Sequence, residues 1–283
     1  AFSSERVIVQ DRFIESNKFD LRVPDLEDLW QYLDRCDKLK LLASVGQGLI
    51  HHSKDLPVGA WTVEPYRNGR GEPGFAEVPR DLKIYGLPTR VSINLDDSVI
   101  RRPMAGTTTG VPQVLLNYHP VAREAWRLKA VIDREGHAVT SSFLAIRPCD
   151  ASVSLEYLWA LLNSPVANAY VYCFLQKRNI LAGSVRLLPV PMALPAEVEL
   201  VATAASSYRD LAAQLQQTSA RTAPDLFGDK QPYANSAPDE SAVKSALLRL
   251  DAAVLRLYDL PPRLERQLLD LFTGVVRKGV GCD

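Results

Sequence analysis

Two runs in the last third place apolar residues alternately three and four positions apart: Val198, Val201, Ala205, Tyr208, Ala212 and Leu215, then Val243, Leu247, Leu250, Val254 and Leu257. That period fits a helix with one apolar face and does not fit a strand. Neither helix can bury its seam alone, so an antiparallel helical hairpin is the simplest product. The stretch 221–239, rich in Pro, Asp, Gly and Asn, would be a long mobile connection. A further helix is expected over Arg263–Phe272, after Pro261-Pro262.

Upstream the character changes. Residues 25–42 carry a short helical pattern, with Asp25 as N-cap and Leu26, Leu29, Trp30 and Leu33 on one face. From Val45 to Gly110 the chain is broken repeatedly by Gly and Pro. Between those breaks, Trp61–Val63, Lys83–Tyr85, Val91–Leu95 and Val111–Tyr118 read as strands, as does Val139–Ile146 farther on. Helices return at 154–176. Ser154 would cap the first, and Ser164 the second, with Pro165 at its first position. Leu187-Leu188-Pro189-Val190-Pro191 is an extended exit, because a residue before proline is held out of the helical region. The expected class is α+β: an irregular mixed β-sheet with flanking helices, followed by a helical hairpin. The expected division is 1–42 as a connector, 43–195 as one domain and 196–283 as a helical spacer.

With 283 residues and 47% hydrophobic content the chain can bury a core that needs no covalent staple. Cys36, Cys149, Cys173 and Cys282 lie far apart, so neither a disulfide framework nor a zinc site is expected. No apolar run reaches membrane-spanning length, and Ala1-Phe2-Ser3-Ser4-Glu5-Arg6 carries no signal-peptide pattern, so a cytoplasmic protein is expected. There is no initiator Met, which leaves open both an excised piece of a longer protein and a separate chain. Lys+Arg and Asp+Glu are 33 each, but the balance is uneven along the chain. Residues 61–186 hold 15 basic and 11 acidic side chains, against 8 and 10 before them and 10 and 12 after. Most of the central cations are Arg, whose fork suits phosphate and guanine, although a solvated surface would also tolerate this imbalance.

Several motifs fall away on inspection. Gly69-Arg70-Gly71-Glu72-Pro73-Gly74 has the spacing of a dinucleotide fingerprint, but Pro73 removes a phosphate-binding amide and no helix follows; a surface loop is expected. His51 and His52 are adjacent, and no metal-ligand spacing accompanies them. No nucleophile motif is present, so a small-molecule enzyme with His51 or His52 as base lacks a second catalytic group.

Gly106-Thr107-Thr108-Thr109-Gly110 is a donor-rich loop preceded by Arg101-Arg102. Arg123, Trp126 and Arg127 would share a helical face beyond the next strand. Lys177-Arg178 follows the 165–176 helix, where cations also favour a helix C-terminus. Hydroxyls and guanidinium forks contact phosphates and base edges, but a plain turn and a core Trp126 would fit the same residues equally well.

Two stretches resemble a known family. Tyr157-Leu158-Trp159-Ala160-Leu161-Leu162-Asn163-Ser164-Pro165, followed by Lys177-Arg178, Gly183 and Leu187-Leu188-Pro189-Val190-Pro191, is similar to the C-terminal half of target-recognition domains. Such domains occur in adenine-N6 DNA methyltransferases and in the specificity subunits of restriction-modification systems. Leu250-Asp251-Ala252-Ala253-Val254-Leu255-Arg256-Leu257-Tyr258-Asp259-Leu260 resembles the helix that ends many of these proteins, and Val45-Gly46-Gln47-Gly48-Leu49 the domain's opening strand and glycine turn. The glycine-rich cofactor motif and the Asn/Asp-Pro-Pro-aromatic motif of the catalytic part do not occur in this sequence.

The resemblance therefore implies a recognition part that reads double-stranded DNA. Its partner would be a methyltransferase catalytic domain, in cis or in trans, that binds S-adenosylmethionine and flips out adenine. No cofactor is expected in this chain. Phosphate contacts would come from Arg101, Arg102, Arg123, Arg127, Lys129, Lys177 and Arg178. Base edges would be read by Thr107, Thr108, Thr109 and Gln113. The alternative is a non-catalytic protein-interaction module whose helices bind another subunit.

Overall fold

A computed structural model of the chain describes residues 26–52, 64–65, 71–174, 179–222 and 238–282. Its centre is a four-stranded antiparallel sheet in the order β2 (Ala43–Gln47), β11 (Phe143–Pro148), β8 (Gln113–Asn117) and β9 (Ala130–Asp133). All five residues of β8 are buried. Val114 and Leu116 join Val45, Ile132, Leu144 and Ile146 on the face covered by helices. Leu115 turns the other way, with Val131, Phe143 and Ala145, against Phe75, Leu82 and Val139. Burial on both faces explains why β8 reads as an unbroken apolar run instead of an alternating one.

The second face is covered by β4 (Glu64–Pro65), β5 (Glu72–Phe75), β6 (Val91–Ile93) and β10 (Ala138–Val139), in the order β10-β5-β6-β4. β10 runs parallel to β5, and the other pairs are antiparallel. β3 (Ile50–His51) pairs separately with β7 (Ile100–Arg102). The Gly-rich string expected to be a surface loop thus enters the sheet from Glu72 onward, with Gly74 opposite Ala138.

Helices cover the first face. α1 is Glu27–Leu33, shorter than the 25–42 pattern, and Leu26 takes the cap position with no side-chain cap; Asp25 lies outside the described residues. The chain leaves that helix because β1 (Asp37–Lys38) pairs with β12 (Pro189–Val190). The proline exit is therefore one half of a small clamp, tightened where the Tyr258 hydroxyl donates to the Pro189 carbonyl at 3.1 Å. α2 (Leu155–Asn163) begins as the sequence predicts, with Ser154 Oγ accepting from the Tyr157 amide at 3.1 Å. α3 (Pro165–Phe174) follows, and Ser164 Oγ accepts from the Ala167 amide at 3.2 Å. A short α4 (Ala182–Val185) leads into β12.

The two seams form α5 (Pro195–Thr222) and α6 (Glu240–Leu257), which pack on each other as the helical hairpin. Val201, Ala205, Tyr208 and Ala212 meet Val243, Leu247, Leu250 and Val254 in one apolar core shared with the sheet. Each Leu- or Val-sized side chain buried there contributes about 1.5–3 kcal/mol. Asp239 caps α6, its Oδ1 accepting from the Ala242 amide at 2.7 Å. Most of the predicted 221–239 loop lies outside the described residues, as does Trp61–Val63. α7 is Pro262–Asp270, ending two residues before the predicted Phe272.

Two expected elements are absent as such. Lys83–Tyr85 is a turn, not a strand, because its polar groups are taken by distant partners: the Ile84 amide donates to the Gly279 carbonyl and its carbonyl accepts from Trp159 Nε1. Arg123–Lys129 is irregular, not helical, because buried asparagines bind its backbone groups. No helix among the described residues is long and apolar enough to cross a membrane.

Candidate nucleic-acid interface

β7 delivers Arg101 and Arg102 to solvent, and the chain then crosses the sheet as the loop 103–112. Four backbone hydrogen bonds fasten this loop. The Gly106 amide donates to Pro103 at 3.1 Å, Ala105 to Gln47 at 3.0 Å, Val139 to Gly106 at 3.0 Å and Gly110 to Gly136 at 2.8 Å. Gly106 must be glycine, since a Cβ there would collide with the Leu49 amide and the Val139 carbonyl. Gly110 has φ +73°, a conformation that side chains resist.

Beneath the loop lies a chain of four polar side chains. Arg147 donates from Nη2 to the carbonyls of Ala105 (2.8 Å) and Thr108 (3.1 Å), and from Nε and Nη2 to Gln113 Oε1 (3.2 and 2.9 Å). Gln113 Nε2 donates to Asp133 Oδ2 at 2.9 Å and to the His137 carbonyl at 2.8 Å. Asp133 accepts from the amides of Gly136 (3.1 Å) and His137 (2.6 Å), and its Oδ1 lies 2.7 Å from His137 Nδ1. Gln113 and Asp133 are both 0% exposed. Burial pulls the Arg147 guanidinium below its ordinary pKa, with the Asp133 carboxylate opposing that shift. A hydrogen-bonded network of this kind holds a backbone in one shape, although His137 Nε2 has no hydrogen-bond partner among the described residues and only approaches Glu135 Oε2, at 3.2 Å. What it holds up is Thr107, half-buried, and Thr108 and Thr109, both exposed.

The sequence-predicted contact residues divide. Arg101, Arg102 and Thr107–Thr109 sit on one continuous, fastened segment, and Arg101 and Arg102 have no ion-pair partner among the described residues. Gln113 does not reach a base edge: its amide is consumed beneath the loop, so it positions the threonines. Lys129 is corrected in the same way. It is 3% exposed, and its Nζ donates to the Leu82 carbonyl at 2.6 Å.

Arg123 is exposed, whereas Arg127 is half-buried over the Tyr172 ring at 4.7 Å and donates to the carbonyls of Arg123 and Glu124. Both lie at the Asn117 end of β8, while Gly110 lies at the Gln113 end, some four strand steps or about 13 Å away. Trp126 is half-buried, packed on Phe272 and under Arg277, and does not join the core. Lys177 and Arg178 lie outside the described residues. His51 Nε2 lies 3.1 Å from the Asn94 carbonyl. Sequence reasoning missed Arg147, Asp133 and His137; the one available signal was a lone Arg closing an otherwise apolar strand.

Three solved structures similar to this chain come from restriction-modification systems, the class that the Leu-Leu-Asn-Ser and Leu-Pro-Val-Pro motifs resemble. One is a type I restriction-modification system described for its complex assembly and conformational transition, 12% identical over 79% of this chain and 45% of that one, with a TM-score of 0.45. Another is the HsdS subunit from Thermoanaerobacter tengcongensis, 14% identical over 79% of this chain and 44% of that one, with a TM-score of 0.38. The third is the type IIL enzyme MmeI in complex with DNA, 13% identical over 58% of this chain and 21% of that one, with a TM-score of 0.35. The chain spans less than half the length of each. No family model and no curated protein matches the sequence.

Proposed function

We propose that this chain is the sequence-reading part of a restriction-modification system that methylates adenine at N6. Residues 43–195 face double-stranded DNA, 196–283 form the helical support and 1–42 connect to a catalytic methyltransferase domain in cis or in trans. That domain binds S-adenosylmethionine. The observation that carries the reading is the Arg147–Gln113–Asp133–His137 network, which fixes the backbone under Thr107–Thr109 beside Arg101 and Arg102, two exposed arginines with no ion-pair partner among the described residues. A loop that reads base edges needs its donors at fixed positions, because a misplaced hydroxyl loses the discrimination of a matched hydrogen bond. Arg101 and Arg102 set the register on phosphate. The cytoplasm, where the host's DNA lies, is the corresponding compartment.

The test is the salt dependence of duplex binding. Two neutralised phosphates give a logarithmic slope of about −1.8, or roughly tenfold weaker binding between 50 and 200 mM salt. The double variant Arg101→Ala, Arg102→Ala is expected to lose most of that slope. Replacing Thr107, Thr108 and Thr109 with alanine is expected to relax sequence choice more than it lowers overall affinity. Binding without a salt slope, or equal losses on all sequences, overturns the reading. A protein-dependent footprint without DNA binding would favour the interaction-module alternative.

A further inference from the structure

Between the arginines and the threonines the loop contains a residue that serves neither conformation nor burial. Met104 has φ +44°, and Asp259 is the other non-glycine residue with positive φ among the described residues. It occupies the first central position of the turn closed by the Gly106 amide on the Pro103 carbonyl. That conformation favours glycine, since a Cβ is crowded there. The Met side chain recovers little by packing: about half of it, 49%, stays exposed, beside an exposed Pro103 and ahead of Ala105, whose own methyl faces Gly46. Glycine would relieve the backbone and remove apolar surface from water at once. A local conflict of this sort, held in place by the Ala105–Gln47 bond and the Arg147 contacts, marks a side chain displayed for a ligand.

We infer that Met104 is an apolar wedge that enters an opened base step of the DNA duplex, an inference that rests on the DNA-reading function above. The chemistry is set by its neighbours. Arg101 and Arg102 are exposed and without ion-pair partners among the described residues, so they can grip the phosphates on either side of a step. The hydroxyls of Thr108 and Thr109 address polar edges. The unbranched thioether matches apolar surface, which a duplex offers in the faces of stacked bases and in the thymine methyl, and of these only the faces are reached by opening a step. Because the turn is fastened on both sides, the backbone that carries the side chain is in place in advance, and only the side-chain torsions are ordered at contact.

The experiment uses the full chain and duplexes enriched by it from a randomised pool. Met104→Gly is expected to leave the thermal midpoint unchanged or higher, yet to weaken binding of the enriched duplex about tenfold or more with the salt slope unaltered. Met104→Leu, which stays apolar, is expected to remain within about threefold of the parent. With 2-aminopurine placed at successive steps, the parent protein raises fluorescence at one step by unstacking it, and Met104→Gly does not. If nothing is enriched from the pool, the DNA-reading function fails and the wedge with it. If a duplex is enriched but Met104→Gly binds it as tightly as the parent, or no step unstacks, the wedge alone is overturned.

Discussion

Arg147 and Gln113 are joined twice, through Nε at 3.2 Å and Nη2 at 2.9 Å on the same amide oxygen, and the guanidinium holds two carbonyls of the threonine loop as well. Arg147→Met keeps the aliphatic stem but leaves Gln113 Oε1 and the Ala105 and Thr108 carbonyls without that donor. The expected cost is about 2–4 kcal/mol of stability. Amide hydrogen exchange should accelerate at Gly106 and Gly110, whose bonds frame the loop. Exchange equal to the parent's would mean that the backbone bonds alone hold the threonines in place.

Three buried asparagines fasten the backbone that enters β9. Asn168 Oδ1 accepts the amides of Arg127 and Leu128, both at 2.8 Å, and Asn163 exchanges hydrogen bonds with both backbone groups of Ala130. Asn117 Oδ1 takes the Lys129 amide at 2.6 Å. Asn168→Leu fits the apolar surroundings but strands two amides, so a loss of about 2–4 kcal/mol is expected in urea unfolding. A loss below about 1 kcal/mol would show that water replaces the side chain.

These asparagines also show where sequence was informative and where it was not. The Leu161-Leu162-Asn163-Ser164-Pro165 helix junction was legible, because the Ser cap and the Pro at the first helical position act within a few residues. The hairpin seams were legible for the same reason, since a 3–4 alternation reports one buried face directly. The Arg123–Lys129 segment was misread as helical because its shape comes from Asn117 and Asn168, and nothing local signals an amide arriving from elsewhere. Gln113 and Lys129 carry suitable chemistry for DNA, but their partners Asp133, Arg147 and Leu82 are contributed by other elements. The position of the threonine loop was visible in sequence. Its rigidity depends on a strand that follows it, and so was not.

The buried phenols make the fold sensitive to alkali. Burial, reinforced by Glu197, pushes Tyr157 up to about 12, and burial raises Tyr208 and Tyr258 as well. Each stays protonated in the fold at pH values where the unfolded chain, with phenols near 10, already releases its proton. Their contribution is thus complete below pH ~10 and is lost as pH rises from there toward 12, by up to about 1.4 kcal/mol per pH unit for each phenol. The thermal midpoint should be flat up to pH ~10 and then fall steeply, with phenolate absorbance appearing together with unfolding. Phenolate formation by all three in a still-folded protein would contradict their burial.

The segment after α7 is secured to the hairpin by a part-buried ion pair. Arg277 Nη1 lies 2.8 Å from Asp251 Oδ2, its Nη2 donates to the Asn163 carbonyl at 2.5 Å, and the guanidinium stacks 4.1 Å over Trp126. Farther on, the Val280 carbonyl accepts from the Tyr208 hydroxyl at 2.6 Å. Burial raises the Asp251 pKa, with the Arg277 guanidinium opposing. Asp251→Ala leaves the part-buried guanidinium without its anion and is expected to cost about 1–3 kcal/mol, with proteolysis appearing first after Thr273. The double variant Asp251→Leu, Arg277→Met removes both charges and is expected to be more stable than either single change. Additive losses in that cycle would mean that Arg277 is held by Asn163 and Trp126, with Asp251 contributing nothing to its placement.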